Sequence, residues 1–312
     1  MSEPRVAIRP MATRDVAEAA RISRLAFGTF MKAPDLASFR ADIGAVETRF
    51  VTEPELALVA ESDGRLLGSI MGMGWGSHLT LGPLSVDPAL WGKGVARCLA
   101  GAFMALPEVR SASLVSLFTF PQSASHLRLY ESFGFASHYL TSVMAKTPEA
   151  KPSDARLFSA LPREAWAPVF GMCRAIADAV LPGLNLTRQI EAVAVQQLGE
   201  TVLIEGAGEF AGFALCHIGR GTEAGEGTLY VKFAATRPGA AAEFERLLDG
   251  IESLAAARGL TRITAGVNAA RRDAYRRMIA RGFRTYLTGV AMQRPDVAGT
   301  LRADAYVIDD WR

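Results

Sequence analysis

Gly82-Pro83-Leu84-Ser85-Val86-Asp87-Pro88-Ala89-Leu90-Trp91-Gly92-Lys93-Gly94-Val95-Ala96 is the stretch that decides how this chain is read. A strand ends at Val86, Asp87-Pro88 makes a turn, and a Gly-Lys-Gly loop opens a helix. Gly92 and Gly94 let backbone approach a ligand without side-chain obstruction. The unpaired N–H groups of the helix's first turn, with the helix dipole, then form an anion site suited to a pyrophosphate. Gly-x-Gly alone equally describes an ordinary turn before a helix, so the flanking segments carry the argument.

Working outward, the order reads strand at Val6 to Arg9, then an Ala-rich helix from Thr13 to Phe27 with Asp15 in its first turn. An irregular second helical region follows, then strands at Leu56 to Glu61, Leu66 to Gly74 and His78 to Val86. The loop-bearing helix runs from about Gly94 to Leu106. A strand at Ser113 to Phe118, a helix at Ser123 to Ser132 and a strand at Ser137 to Met144 complete the half. Strand-loop-helix units beside a run of hairpin strands imply a mixed sheet with helices on both faces.

The pattern then repeats. Polar, proline-bearing Lys146 to Ala155 reads as a linker. Beyond it, the turn Ala60 to Gly68 has a counterpart at Ile204 to Gly212, and Arg128 to Phe135 one at Arg276 to Phe283. Tyr139 to Val143 is echoed at Tyr286 to Val290. Three matches in one order indicate duplication.

The 312 residues suit two domains of about 150 residues each. Half the residues are apolar, and 34 Lys plus Arg against 32 Asp plus Glu leave a net charge of +2. That balance supports neither a nucleic-acid nor a membrane partner. The charged segment Met1 to Pro10 lacks an apolar signal region, and Val95 to Leu106 is too short to span a bilayer. Cys98, Cys173 and Cys216 are scattered, which argues against disulfides or a zinc site and fits a reducing, cytoplasmic setting. Cys98, inside the loop helix, is expected in the core, and no metal is expected.

The loop and the Tyr130…Gly134-Phe135 spacing together resemble the GCN5-related N-acetyltransferase (GNAT) family. Its acetyl-CoA loop is Arg/Gln-x-x-Gly-x-Gly/Ala after a splayed strand, with a tyrosine four residues before Gly-Phe. Gly92-Lys93-Gly94 and the register Gly94-Val95-Ala96 both satisfy the glycines, but Ala89 or Trp91 stands where the family has Arg or Gln. The loop works through backbone amides, so this departure weakens binding rather than abolishing it. The fold implied is α/β (α+β): two tandem GNAT folds, each a mixed, mostly antiparallel sheet flanked by helices. The division is 1–148 with the acetyl-CoA site, 156–298 as a degenerate second copy, and a tail at 299–312.

By that resemblance, backbone at Leu84, Ser85 and Val86 holds the pantetheine arm where two strands part, and Pro83, with no N–H to donate, suits the break. Amides of Trp91, Gly92, Lys93, Gly94, Val95 and Ala96 hold the pyrophosphate, Lys93 being either a phosphate contact or a solvated loop lysine. Acyl transfer to an amine needs a neutral amine, a donor for the oxyanion and a proton for the departing thiolate. Tyr130 matches the family's general acid. The histone-acetyltransferase branch places a carboxylate base where this chain has His78, whose imidazole, with an ordinary pKa of roughly 6.5, suits proton abstraction; a turn histidine after Gly76 is the other reading. His126, one helical turn before Tyr130, is taken as a cofactor contact or a half-buried helix residue. Phe27, Phe30, Met31 and Trp75, with Lys32, Asp35 and Arg40, read as acceptor-pocket wall or as core.

Carrying the motifs across puts Gly92 and Gly94 on Ala240 and Ala242 and Tyr130 on Met278, with Tyr275 the nearest substitute. The second half is therefore expected to keep the fold without the cofactor site, and the tail Tyr306 to Arg312 to dock as a strand or latch. The function implied is acetyl transfer from acetyl-CoA to a small-molecule or peptide primary amine. The alternative is a non-catalytic acyl-CoA sensor or scaffold. Neither nucleic acid nor membrane is expected as a partner, and a homodimer is left open.

Overall fold

The computed structural model describes residues 6–206 and 209–311. Ala207 and Gly208 of the Ile204 to Gly212 turn, Arg312 of the tail and the first five residues lie outside them. The first half runs β1 (Ala7–Pro10), α1 (Val16–Phe30), α2 (Ala45–Thr52), β2 (Ala57–Ser62), β3 (Arg65–Trp75), β4 (His78–Val86), α3 (Val95–Met104), α4 (Pro107–Ser111), β5 (Leu114–Thr119), α5 (Ala124–Glu131) and β6 (Ala136–Lys146). The second runs β7 (Arg156–Leu157), α6 (Trp166–Val180), α7 (Thr187–Val195), β8 (Gly199–Gly206), β9 (Glu209–Gly219), β10 (Gly225–Thr236), α8 (Ala241–Ala257), β11 (Arg262–Asn268), α9 (Arg272–Ala280), β12 (Arg284–Arg294) and β13 (Val307–Ile308). Thr147 to Ala155, most of the segment read as a linker, has no regular structure.

Local chemistry sets the boundaries. Arg9 pairs with Asp15 at 2.6 Å, and the Asp15 carboxylate accepts the Ala12 N–H at 2.8 Å, fixing the turn into α1. Ser123 caps α5, its Oγ accepting the His126 N–H at 3.4 Å. Strand alternation divides two cores. Leu58 and Ala60 of β2 face the cluster holding Val95, Leu99 and Phe103 of α3, while Ala57 and Val59 face Ala19 and Ile22 of α1. Each such large apolar side chain contributes about 1.5–3 kcal/mol on burial.

The halves merge into one 13-stranded sheet of order β1-β2-β3-β4-β5-β12-β6-β11-β10-β9-β8-β7, with β13 on β10. Each half's last long strand is given to the other. β12 pairs with β5 and β6 pairs with β11, and the two exchanged strands pair with each other from Arg284↔Ala145 to Gln293↔Ala136. No edge is left at the join, where an unpaired strand would be a liability.

Candidate active site

β4 creates the site by leaving its partner. It pairs in parallel with β5 only from His78 to Leu81, while its antiparallel pairing with β3 continues to Val86. Between Leu81 and Leu84 it carries one residue more than β3, a bulge at Gly82-Pro83. The β5-facing backbone edge beyond Leu81 is thus open to a hydrogen-bonding ligand.

The loop lies at the end of that edge. Gly92 and Gly94 hold φ of 80° and 81°, and an added Cβ at either would meet nothing within 4 Å. Gly94 is the N-cap of α3, whose first internal hydrogen bond is Cys98 N–H to Gly94 O. Among the described residues no acceptor faces the amides of Gly92, Gly94, Val95, Ala96 and Arg97. These are free backbone donors at a helix N-terminus, an arrangement suited to an anion.

A cavity of about 640 Å³ joins these features. Leu84, Val86, Trp91, Gly92, Gly94, Val95, Ala96, His126 and Tyr130 line it, as do Phe27, Phe30, Met31 and Arg40. Ser85, Lys93 and His78 do not. Ser85 is buried, its Oγ bonded to Ser23 Oγ at 3.1 Å; Lys93 is exposed. Trp91 uses its indole N–H on the Val86 carbonyl at 2.9 Å, which ties the loop back to β4. Trp75 is core, 1% exposed.

Tyr130 packs edge-on against Phe135 at 6.1 Å, and its hydroxyl has no hydrogen-bond partner among the described residues. Burial pushes its phenol above the ordinary value of 10.0, so it stays protonated and able to donate. His126 sits between Phe30 and Phe120, with centroids at 5.0 and 6.3 Å, and burial lowers its pKa.

His78 is a correction. It is fully buried between Trp75 and Trp311, each 5.5 Å away, with Nε2 2.5 Å from Ser116 Oγ. Burial, then the nearby Arg271 charge, lowers its pKa to about 3. So weak a base, away from the cavity, does not serve an incoming amine. Cys98 is a second correction: it is exposed, on the solvent side of α3.

The sequence reading missed the contribution of the second half, whose Glu223, Tyr230, Leu287 and Trp311 also line the cavity. Arg49 of α2 joins the two sides: Nη1 donates to the Gly82 carbonyl at 2.6 Å and Nη2 to Glu223 Oε2 at 2.5 Å. Glu223 also pairs with buried Lys232. Burial opposes its charge, yet Arg49 and Lys232 hold its carboxyl well below the ordinary range. Partners separated by 174 positions leave no local pattern to read.

The matching place in the second half is filled by the chain itself. β10 pairs in parallel with β11 from Thr228 to Val231 and carries its own bulge at Lys232. Beyond it, β13 pairs with Ala234 and Ala235, occupying the edge that β4 leaves open. Met278, fully buried, stands where Tyr130 stands. The tail thus docks as a strand. Arg271, 0% exposed, locks it by donating to the Thr300 and Val307 carbonyls at 3.1 Å and to Asp309 at 3.0 Å. The Tyr230 hydroxyl donates to Asp310 at 2.7 Å, and Trp311 then enters the cavity.

Residues 21–135 match the model of the acetyltransferase (GNAT) family. No curated protein sequence matches the chain. Among solved structures, a Pyrococcus horikoshii protein aligns over 100% of this chain and 96% of its own at 14% identity and a TM-score of 0.71. A GCN5-related N-acetyltransferase from Sphaerobacter thermophilus aligns over 93% and 95% at 17% identity and 0.61. A tandem GNAT protein from the clavulanic acid biosynthesis pathway aligns over 92% and 98% at 13% identity and 0.57. At these identities the structural likeness speaks for fold. The chain has a tandem GNAT fold, and its first half, over residues 21–135, carries a domain of the GNAT acetyltransferase family.

Proposed function

We propose that this protein is an N-acetyltransferase that moves an acetyl group from acetyl-CoA to a primary amine, with residues 1–148 carrying the donor site. The observation that carries this reading is the continuity of one cavity: open β4 edge, acceptor-free amides at Gly92 and from Gly94 to Arg97, and the Tyr130 phenol. The open edge from Gly82 to Val86 suits the amide-bearing pantetheine arm, and the loop amides suit the pyrophosphate. The amine nitrogen attacks the thioester carbonyl; the N–C bond forms as the C–S bond breaks. The amine's proton leaves to solvent or to a carboxylate, and Tyr130 protonates the departing thiolate.

Calorimetric titration with acetyl-CoA tests this. The expected result is one site per chain, lost in Gly94→Glu, because glutamate would be strained at that φ and would put a carboxylate into the anion cradle. Two sites would overturn the account of a self-filled second half. Binding without thiol release against a broad amine panel would make the protein a sensor instead.

A further inference from the structure

Two carboxylates line the cavity, and only one is committed. Glu223 is held by Arg49 and Lys232. Glu47, on α2, has a buried Oε2 with no hydrogen-bond partner, and no ion pair forms to it among the described residues. Arg24, on α1, lines the same cavity and likewise forms no ion pair with a described residue, so it stands more than 4.0 Å from the Glu47 carboxylate. The walls around them are apolar and aromatic, including Phe27, Phe30, Phe39 and Trp311. An acceptor atom without a donor and a separate cation, inside an apolar wall, complement a ligand that carries one ammonium, one anion and an apolar body.

We propose that the amine acceptor is a zwitterion with an apolar side chain, of the α-amino acid type. Glu47 receives its ammonium, Arg24 its carboxylate, and the aromatic wall completed by Trp311 of the second half its side chain. This rests on the acetyl-transfer reading and names its substrate class. Arg24, which forms no ion pair with a described residue, and the single uncommitted carboxylate of Glu47 disfavour a polycation such as a polyamine.

The test is thiol release from acetyl-CoA with L-phenylalanine, 2-phenylethylamine and spermidine, beside calorimetry with acetyl-CoA. The order expected is phenylalanine above phenylethylamine above spermidine. Glu47→Gln should raise the KM for phenylalanine at least tenfold and leave acetyl-CoA affinity within twofold. Arg24→Gln should erase the preference for phenylalanine over phenylethylamine. A spermidine preference, an unchanged KM in Glu47→Gln, or loss of acetyl-CoA affinity in Arg24→Gln overturns the assignment. Acetyl-CoA binding with none of the three amines used overturns it alone, whereas no acetyl-CoA binding at all sinks the acetyl-transfer reading with it.

Discussion

Replacing Tyr130 by Phe separates chemistry from stability in a way the structure makes quantitative. The ring is buried against Phe135, and phenylalanine keeps that shape, so no cavity opens. The hydroxyl makes no hydrogen bond to a described residue, so deleting it breaks none and strands no partner. The change in folding free energy should therefore stay within about 0.5 kcal/mol. Under the proposed role as the thiolate's proton donor, its removal should in contrast lower kcat by about 10²–10⁴-fold, or roughly 2.7–5.5 kcal/mol on the barrier. Paired measurements suffice: urea unfolding for stability, and thiol release at saturating acetyl-CoA with titration of the KM. Because burial raises the phenol's pKa above 10.0, its stabilising contribution is whole below pH 10.0 and erodes as pH rises beyond it. Tyr130 should accordingly cause no loss of activity below pH 10.0. An unchanged kcat in the variant refutes the acid role, and a kcat loss matched by a comparable loss of stability refutes the reasoning from the unpartnered hydroxyl.

Two further perturbations probe the join between the halves. Glu53, 2% exposed, accepts from the Gly74 N–H at 2.9 Å and from Gln189 Nε2 at 2.6 Å; burial raises its pKa from 4.5 to about 7. A raised carboxyl stabilises fully below pH 4.5 and loses that contribution as pH rises through about 7. Wild-type stability should then fall by up to about 3 kcal/mol between pH 5 and 8.5, while Glu53→Gln shows a flat profile in denaturant titrations at both pH values. Glu223→Gln leaves Arg49 and Lys232 buried without their counter-charge and should cost about 3–5 kcal/mol by urea unfolding. A change below 1 kcal/mol there would show that water reaches the cluster.

The legible part of this protein was the part written in short range. Strand β4 from His78 to Val86 was read with its observed bounds because apolar alternation and the flanking turns are local. The Gly92-Lys93-Gly94 loop was read because a positive φ at a helix N-cap calls for glycine. Tyr130 and Met278 were read as counterparts because the Gly-Phe turns after them fix the register, and both turns close with the same bond, Phe135 N–H to Tyr130 O and Phe283 N–H to Met278 O.

What escaped lies in partners far apart along the chain. His78 has the residue type of a base, but its chemistry is set by Trp75, Ser116 and Trp311 packed around it, which remove water and with it the charged form. Cys98 sits beside apolar neighbours in sequence yet faces solvent, because helix phase rather than local composition decides exposure. The duplication was visible, but not that β6 and β12 change places, since each exchanged strand satisfies the same pattern in either sheet. Nor was it visible that the tail would fill the second cleft and send Trp311 into the first. The sequence alone determined that a GNAT-like glycine loop and tyrosine stand in the first half and are missing from the second. Only tertiary structure decided that the second half closes the first half's cavity. Burial, charge pairing and strand edges are settled by what meets in space, and residues more than a hundred positions apart meet only on folding.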